Sequence, residues 1–372
     1  MKSFLSRHKF ALALALVALL SLNGFRQAQR TAADFDALFE PPAGTTRQIA
    51  LVSIHPDDYQ QLFNGTSPLD AQQFGRLVAR ILEGKPAVLG VDIDTSHPGF
   101  AGLRARFADT GRTAMVWAQN ATPARPGDEV LVAQGVLGGP ASTAPGTAGA
   151  ALLIADGEDG VVRRYARLVR IASGTVRSFP WAVVDAQDAA KKLHLRESDA
   201  PLQIRFARAE RLDLPAAVVL APGFEWSSRI ENRIVLLGGR YDRADIQNTP
   251  LGTMDGIDVL ANAVETELGG GGYEQPALAL VLTVALVELI ALLLLFDHVS
   301  FWKALAIAVG GTMVFAWLLA ALGWLPAWSQ AALILLVVLL NQLGLEIFRK
   351  QRLAIKASAE TLKDRLSGKK SP

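Results

Sequence analysis

The sequence predicts an extracytoplasmic α/β domain with a mostly parallel sheet, held by one N-terminal and three C-terminal transmembrane helices. Three observations predict this. Hydrophobic residues make up 51% of the 372 positions and charged residues only 19%, more apolar than an ordinary soluble domain. The apolar excess is segregated into runs near the two ends of the chain. Between those runs, strand-like and helix-like segments alternate, the pattern of parallel strands joined by helical crossovers.

The spans come first in the argument because they decide where everything else lies. Residues 276–296, 304–324 and 327–348 are each long enough for the ~20 helical residues that cross a ~30 Å hydrocarbon layer. The first apolar run, Phe10–Leu22 within a 10–25 segment, is shorter and of signal-peptide length. No small-x-small cleavage site follows in "SLNGFRQAQR", so an uncleaved anchor is expected. Lys2, Arg7 and Lys9 precede it. The tail 349–372 holds Arg349, Lys350, Arg352, Lys356, Lys363, Arg365, Lys369 and Lys370 against Glu360 and Asp364, while the link "GWLPAWSQ" carries no charge. The positive-inside rule then puts residues 1–9 and 349–372 in the cytoplasm and 26–275 outside. That outer region has a net charge of about −5. The chain has no cysteine, which excludes thiol nucleophiles and cysteine-ligated metals. A domain of this size buries enough apolar surface without disulfides.

Within the outer region, "QIALVSIH" (Gln48–His55) reads as a buried strand. "DAQQFGRLVARILEG" follows as a helix, with Phe74, Leu77, Val78, Ile81 and Leu82 on one face and Gly84 as its stop. "AVLGVDID" is a strand, Leu103–Ala108 a short helix and "TAMVWAQ" a further strand. Pro123–Gly149 reads as a long surface loop. "AALLIADGEDGVVRRYARLVRIASGTVRSF" has two strand-like runs about Gly-rich turns, an antiparallel hairpin. "SFPWAVVDAQDAAKKL" is a helix and "PLQIRFA" a strand. Ile234–Leu237 and Asp255–Leu268 supply the last strand and helix, with "NTPLGTMDG" as the turn before that helix.

The segments "IALVSIHPDDY", "LVARILEGKPAVLGVDIDTSHP", "DGEDGVVRRYARLV" and "NRIVLLGGRYDRADIQNTPLGTMDGIDVLANAVE", with three spans behind them, resemble the CHASE type-2 family. These are the cyclase/histidine-kinase-associated sensory extracellular domains of bacteria. The last segment is the most specific, through Gly238, Gly239, Asp245, Thr249, Pro250, Gly252, Gly256, Ala261 and Asn262. The resemblance implies an α/β sensor outside the membrane that signals to a cytoplasmic enzyme. Where family members usually carry a Trp-Pro-Trp-like segment, this chain has "NGTSPLDAQQF". Only 24 residues follow the last span, so output is expected either from a partner in trans or from a domain missing from this chain.

The strand ending in Gly238-Gly239 has the outline of a phosphate-binding turn, but no G-x-G-x-x-G or P-loop pattern accompanies it. The two glycines read instead as a strand exit needing positive φ or close backbone approach. Loops at the carboxyl ends of parallel strands are still where such folds bind ligands, which makes Asp245 and Thr249 candidates. A second candidate is acidic: His55, Asp57 and Asp58, then Asp92, Asp94 and His97, leave the ends of two strands expected to be adjacent. These groups suit a metal or a cationic ligand. The competing expectation is that Asp57 caps a helix and Asp92 makes a buried hydrogen bond. No G-x-S-x-G or H-E-x-x-H motif occurs; an enzyme is not expected, and neither is a cofactor.

In the membrane runs, Glu288 shares a depth with Gly310, Gly311 and Thr312, and with Asn341 and Gln342. A carboxyl there costs ~3 kcal/mol on the gentler scale, so a hydrogen-bonded packing layer is expected in preference to a proton path. Phe348, Ile355 and Leu362 recur at heptad spacing into the tail, a weak coiled-coil seam that points to a homodimer. The expected partners are the membrane, an unknown extracytoplasmic ligand or envelope protein, and a cytoplasmic signalling partner; nucleic acid is not among them. Two rival readings stand beside the sensor: an accessory subunit that scaffolds an envelope complex, and an extracytoplasmic enzyme.

Overall fold

The computed structural model of the chain describes residues 48–272 except 124–130, 189–191, 194, 208–210, 227–228 and 242–244, with isolated positions at 34, 37, 303, 307, 310, 311 and 314. In chain order the strands are β1 (Ile49–Ile54), β2 (Val88–Asp92), β3 (Ala114–Gln119), β4 (Ala121–Pro123), β5 (Leu131–Ala133), β6 (Thr147–Ala150), β7 (Ile154–Ala155), β8 (Val162–Tyr165), β9 (Leu168–Ile171), β10 (Gly174–Arg177), β11 (Leu202–Gln203), β12 (Leu212–Pro215), β13 (Ile234–Gly239), β14 (Ile246–Thr249) and β15 (Gly252–Asp255). The helices that matter below are α1 (Pro56–Phe63), α2 (Ala71–Leu82), α3 (Leu103–Arg106), α4 (Phe179–Ala186), α5 (Ala216–Leu220) and α6 (Gly256–Leu268).

The central sheet has the order β12-β1-β13-β2-β3-β6, and each of these pairings is parallel. Its strands read as unbroken apolar runs because both faces are covered. Ala50, Val52, Ile54, Leu89, Val91, Trp117, Val235 and Leu237 pack on one side with α1, α2, α3 and α5. Ile49, Leu51, Val88, Val116, Ile234 and Leu236 pack on the other with α4 and α6. The alternation along each strand is the pleat itself, odd and even residues facing opposite layers.

Helix α2 shows how local sequence fixes an element. Asp70 caps it, its carboxylate accepting the Gln73 N–H at 2.7 Å. Phe74, Leu77, Val78 and Ile81 fall on one stripe and are fully buried, each worth about 1.5–3 kcal/mol of apolar burial. The chain turns after it at Lys85, whose φ is 52°, and not at Gly84 as expected. Gly84 is small for a packing reason: a Cβ there would lie 2.4 Å from Ile230 Cδ1.

Other expectations change more. The segment read as a loop over 123–149 contains β5 and the whole start of β6, an edge strand of small residues that carries no apolar signal. The hairpin region forms two antiparallel pairs, β7 with β8 and β9 with β10, in separate small sheets. Helix α4 stops at Ala186, ahead of Asp188 at φ 57°, and the strand expected in "PLQIRFA" is only the two residues of β11, paired with β8. "NTPLGTMDG" is a β14–β15 hairpin with Gly252 at φ 104°.

The chain divides into two units, Ala37–Gln275 and Met1–Asp36 with Pro276–Pro372. The architecture above is that of the first. Among the described residues no helix is long and apolar enough to cross a membrane. The expected spans 10–25, 276–296 and 327–348, with Glu288, Asn341 and Gln342, lie outside the described residues. So does 304–324, apart from Ile307, Gly310, Gly311 and Val314, which are helical and exposed.

Candidate functional site

The order of the strands locates the site. After β1 the chain passes to α1 and α2 on one face, and after β2 to α3 on that same face. After β13, which lies between them, it passes to α6 on the other face. Neighbouring strands whose continuations part to opposite faces leave a crevice at their carboxyl ends, the usual ligand position in open parallel sheets. Gly238 and Gly239 end β13 at that point, opposite Ser53 and Ile54 on β1 and, for Gly238, Asp92 on β2. Neither glycine has positive φ. The expectation of close approach is the part that holds, since a Cβ on Gly238 would sit 2.8 Å from Ile257 Cδ1 of α6.

Arg240 fills the crevice. Its backbone N–H donates to Ile54 O at 2.9 Å, extending the pairing with β1 by one residue. Its guanidinium donates to Asp213 Oδ2 at 2.9 Å, to Asp255 Oδ2 at 2.9 Å, and to both Asp258 oxygens at 2.7 and 3.0 Å. Ser53 Oγ accepts from Arg240 Nε at 3.3 Å and donates to Asp213. One residue therefore ties β1, β12, β13, β15 and the first turn of α6. Burial opposes the Arg240 charge, but Asp258, Asp213 and Asp255 outweigh it and hold its pKa above the ordinary arginine value. Burial dominates at Asp258 and raises its carboxyl, with Arg240 pulling the other way. Three carboxylates share the one guanidinium, and the Arg211 charge also reaches Asp258. Beside it Tyr59 of α1 stacks on Tyr241, ring centroids 4.2 Å apart and 7° from parallel.

A second carboxylate pair adjoins the cluster. Asp92 is half-buried at the end of β2, and no donor from another described residue reaches its carboxyl. Burial raises its pKa from 3.8 to about 7, and the negative Asp245 adds to the rise. Asp245 lies against the start of α6, so close that a Cβ on Gly256 would be 2.3 Å from its Oδ1.

The far end of α6 is built differently. Every residue of this helix except Asp258 is buried. Glu267 accepts Arg167 Nε and Nη2 at 2.8 Å each and the Tyr165 hydroxyl at 2.5 Å. Arg167 also donates to Arg196 O at 2.7 Å and lies 4.9 Å from the Trp181 ring centroid. Burial, then the Glu267 charge, pushes the Tyr165 hydroxyl well above its usual range. One turn earlier, Arg211 donates to Asn262 at 2.9 Å and to Glu265.

The residues singled out by sequence mostly serve the fold. β1 and β2 are not adjacent, because β13 lies between them, so the two acidic strand ends do not form one constellation. Asp57 is exposed in the first turn of α1. The capping expected of it belongs to Asp58, which is 4% exposed and accepts the N–H groups of His55, Ala216 and Ala217 at 3.0, 3.2 and 3.2 Å. Asp94 accepts the Ser96 N–H at 2.8 Å and His97 the Gly99 N–H at 3.1 Å, both local turn bonds at exposed positions. Thr249 closes the β14–β15 turn, donating to Gly252 O at 2.6 Å. Among the described residues no hydrogen bond to the Asp92 carboxyl forms. Of the eight residues, His55 and Asp58 meet in the cap of α1, and the charge of Asp245 reaches Asp92. Among the described residues no group of three or more His, Asp or Glu side chains is placed to hold a metal ion. Ser53, Asp213, Arg240, Asp255 and Asp258 escaped the sequence reading. Arg240 follows directly on the glycine pair, and that position was the available signal.

No curated relative and no solved structure matches the chain. The CHASE2 domain model matches residues 11–298, from inside the first apolar run to just beyond the second. That match covers most of the chain, it begins inside the first apolar run and ends just past the second, and the fold between them is the parallel α/β sheet that the motifs led one to expect. This chain belongs to the CHASE2 domain family, a family of sensory extracellular domains.

Proposed function

We propose that this protein is a bacterial inner-membrane sensor whose extracytoplasmic α/β domain reads its surroundings at the carboxyl edge of the central sheet. A conformational change passes through the spans to a cytoplasmic partner, with the chain acting as a homodimer and without catalysis of its own. One observation carries the reading. The Arg240 cluster at the switch point is bonded directly to the first turn of α6, and α6 is the last element before the apolar run 276–296. A change at the crevice therefore acts on the helix that leads in sequence to the membrane. Family membership and the charge asymmetry of the flanking segments support the same assignment.

The test is a thermal-shift screen of the full chain in lipid nanodiscs against small amines, amino acids, metals and envelope fragments. A ligand at 100 times its Kd stabilises the domain by about 2.7 kcal/mol. Silence against every class, together with a stable complex with an envelope protein, would favour the scaffold reading. The topology has its own test. A reporter active only outside the cytoplasm, fused after Gly272, scores positive, and fused after Leu366 it scores negative.

A further inference from the structure

Glu265 and Glu267 of α6 are both buried and each meets an arginine, yet the two pairs are made differently. Arg167 grips Glu267 with Nε and Nη2 together, at 2.8 Å each. Arg211 reaches Glu265 with Nη2 alone, and shares that nitrogen with Asn262 Oδ1 at 2.9 Å. Arg211 Nε and Glu265 Oε1 are buried with no hydrogen-bond partner among the described residues. A guanidinium and a carboxylate in contact frequently close through two parallel bonds, so this pair is half-made. The chain around Arg211 supplies the reason. Arg211 directly precedes β12, and two residues on Asp213 is fixed at the crevice, accepting from Arg240 Nη2 at 2.9 Å and from the Ser53 hydroxyl. Leu212 and Asp213 are also held by their pairing with Ala50 and Leu51 of β1. Upstream, Arg205 N–H donates to Thr266 Oγ1 at 2.9 Å and Ala207 N–H to Asn262 Oδ1 at 3.2 Å. The Arg211 charge reaches Asp258 as well, about two turns nearer the crevice than Glu265.

We propose that the stretch Arg211–Asp213 is a strap pulled by two grips, the crevice at Asp213 and the body of α6 at Glu265, and that it carries the signal from one to the other. While Arg240 and Ser53 hold Asp213, Arg211 stops short of a full grip on Glu265. A stimulus that loosens Asp213 frees β12, an edge strand with a neighbour on one side only. Arg211 then closes on Glu265 through Nε and Nη2, as Arg167 does on Glu267, and lets go of Asn262. Asn262 keeps its bond to Asp258 O at 2.9 Å, but the oxygen that holds Ala207 loses its cation. One charge-assisted bond replaces one to a neutral amide, so the two positions lie close in energy and a modest stimulus decides between them. The far end of α6 stays locked by Arg167 and Tyr165. The inference rests on the sensory reading above and supplies its route inside the domain.

The experiment is hydrogen–deuterium exchange of the full chain in nanodiscs, read at single residues and arranged as a double-mutant cycle. Protection of the β13 amides gives the opening constant of the domain. Asp213→Asn raises that constant only modestly in the wild type, because Arg211 recovers a bond on Glu265. In a Glu265→Gln background nothing is recovered, and the same substitution raises it by a factor about threefold larger or more. If Glu265→Gln does not fold, Arg211→Met with Glu265→Leu, an apolar replacement of the pair, serves as the background instead. The Ala207 amide is the second readout. Relative to β13 it exchanges about threefold faster or more in Asp213→Asn, and Asp213→Asn adds nothing to it once Arg211→Met is present. Equal effects of Asp213→Asn in both backgrounds would make the two grips independent and overturn the strap. A smaller effect in the Glu265→Gln background, or an Ala207 amide that ignores Asp213→Asn, overturns it as well. Additive variants alongside a positive ligand screen strike only this route and leave the sensor reading standing, so the two failures are separable.

Discussion

The two ends of α6 use the same chemistry to opposite effect. At its C-terminal end one guanidinium, Arg167, meets one carboxylate, Glu267, with side chains 9% and 0% exposed and a tyrosine hydroxyl completing the set. At its N-terminal end one guanidinium, Arg240, is shared among Asp213, Asp255 and Asp258, each between 21% and 29% exposed. The first arrangement is dry, its guanidinium and carboxylate held by two parallel bonds. The second spreads one guanidinium over three carboxylates and is partly wet. A dry matched pair has nowhere to go, because breaking it strands a buried charge. An unmatched, half-buried cluster can exchange partners at little cost, which is what a site that responds to its surroundings needs.

Mutations test that contrast most sharply at the closed end. Glu267→Ala leaves Arg167 buried without its carboxylate and should cost about 3–5 kcal/mol of unfolding free energy, measured by denaturant titration. A loss below about 1 kcal/mol would mean that the two ends do not differ as described.

Next in size is the pH term at Asp92. The folded protein binds this proton more tightly than the unfolded chain does, since the carboxyl rises from 3.8 to about 7. Its contribution is therefore complete below pH 4, is lost as pH climbs from about 4 to about 7, and stays constant above. The difference in stability between wild type and Asp92→Asn should change by about 2 kcal/mol across that window, after allowance for the partial exposure of the group. No change in that difference would remove Asp92 from the open end.

Arg240→Lys keeps the charge but loses the planar fork that serves three carboxylates at once. About 1 kcal/mol should disappear, visible as a small drop in Tm. Smallest of all is Asp94→Ala, which removes one exposed turn bond. A change within about 0.5 kcal/mol is expected, with the pH response intact.

The same contrast explains how much was legible beforehand. β1, β2, β3, β13, α2 and α6 declare themselves through uninterrupted apolar runs or a 3.6-residue stripe, signals that burial on both faces makes strong. β6 and β12 do not, because "TAGA" and "LDLP" are edge strands with little apolar content. The candidate site divides along similar lines. Asp92 and Asp245 each sit beside a recognisable motif, so residue type and position were enough to single them out. Asp213 does not, since its role depends on β12 lying beside β1, a long-range pairing that no local pattern encodes. The acidic strand ends misled for the same reason: β13, far away in sequence, slips between them.

That insertion has a consequence for how the protein comes into being. Ser53 and Arg240 are 187 residues apart, yet they close the same crevice from neighbouring strands. As the chain emerges from N- to C-terminus, β1 and β2 must wait with unpaired edges until the central strand between them has been made. Such non-local pairing slows folding and leaves sticky strand edges exposed in the meantime. A nascent chain interrupted before Ile234 would have two half-sheets and no crevice, and would be prey to proteases. Synthesis thus carries a built-in completeness check: only a polypeptide made through β13 has a closed central sheet.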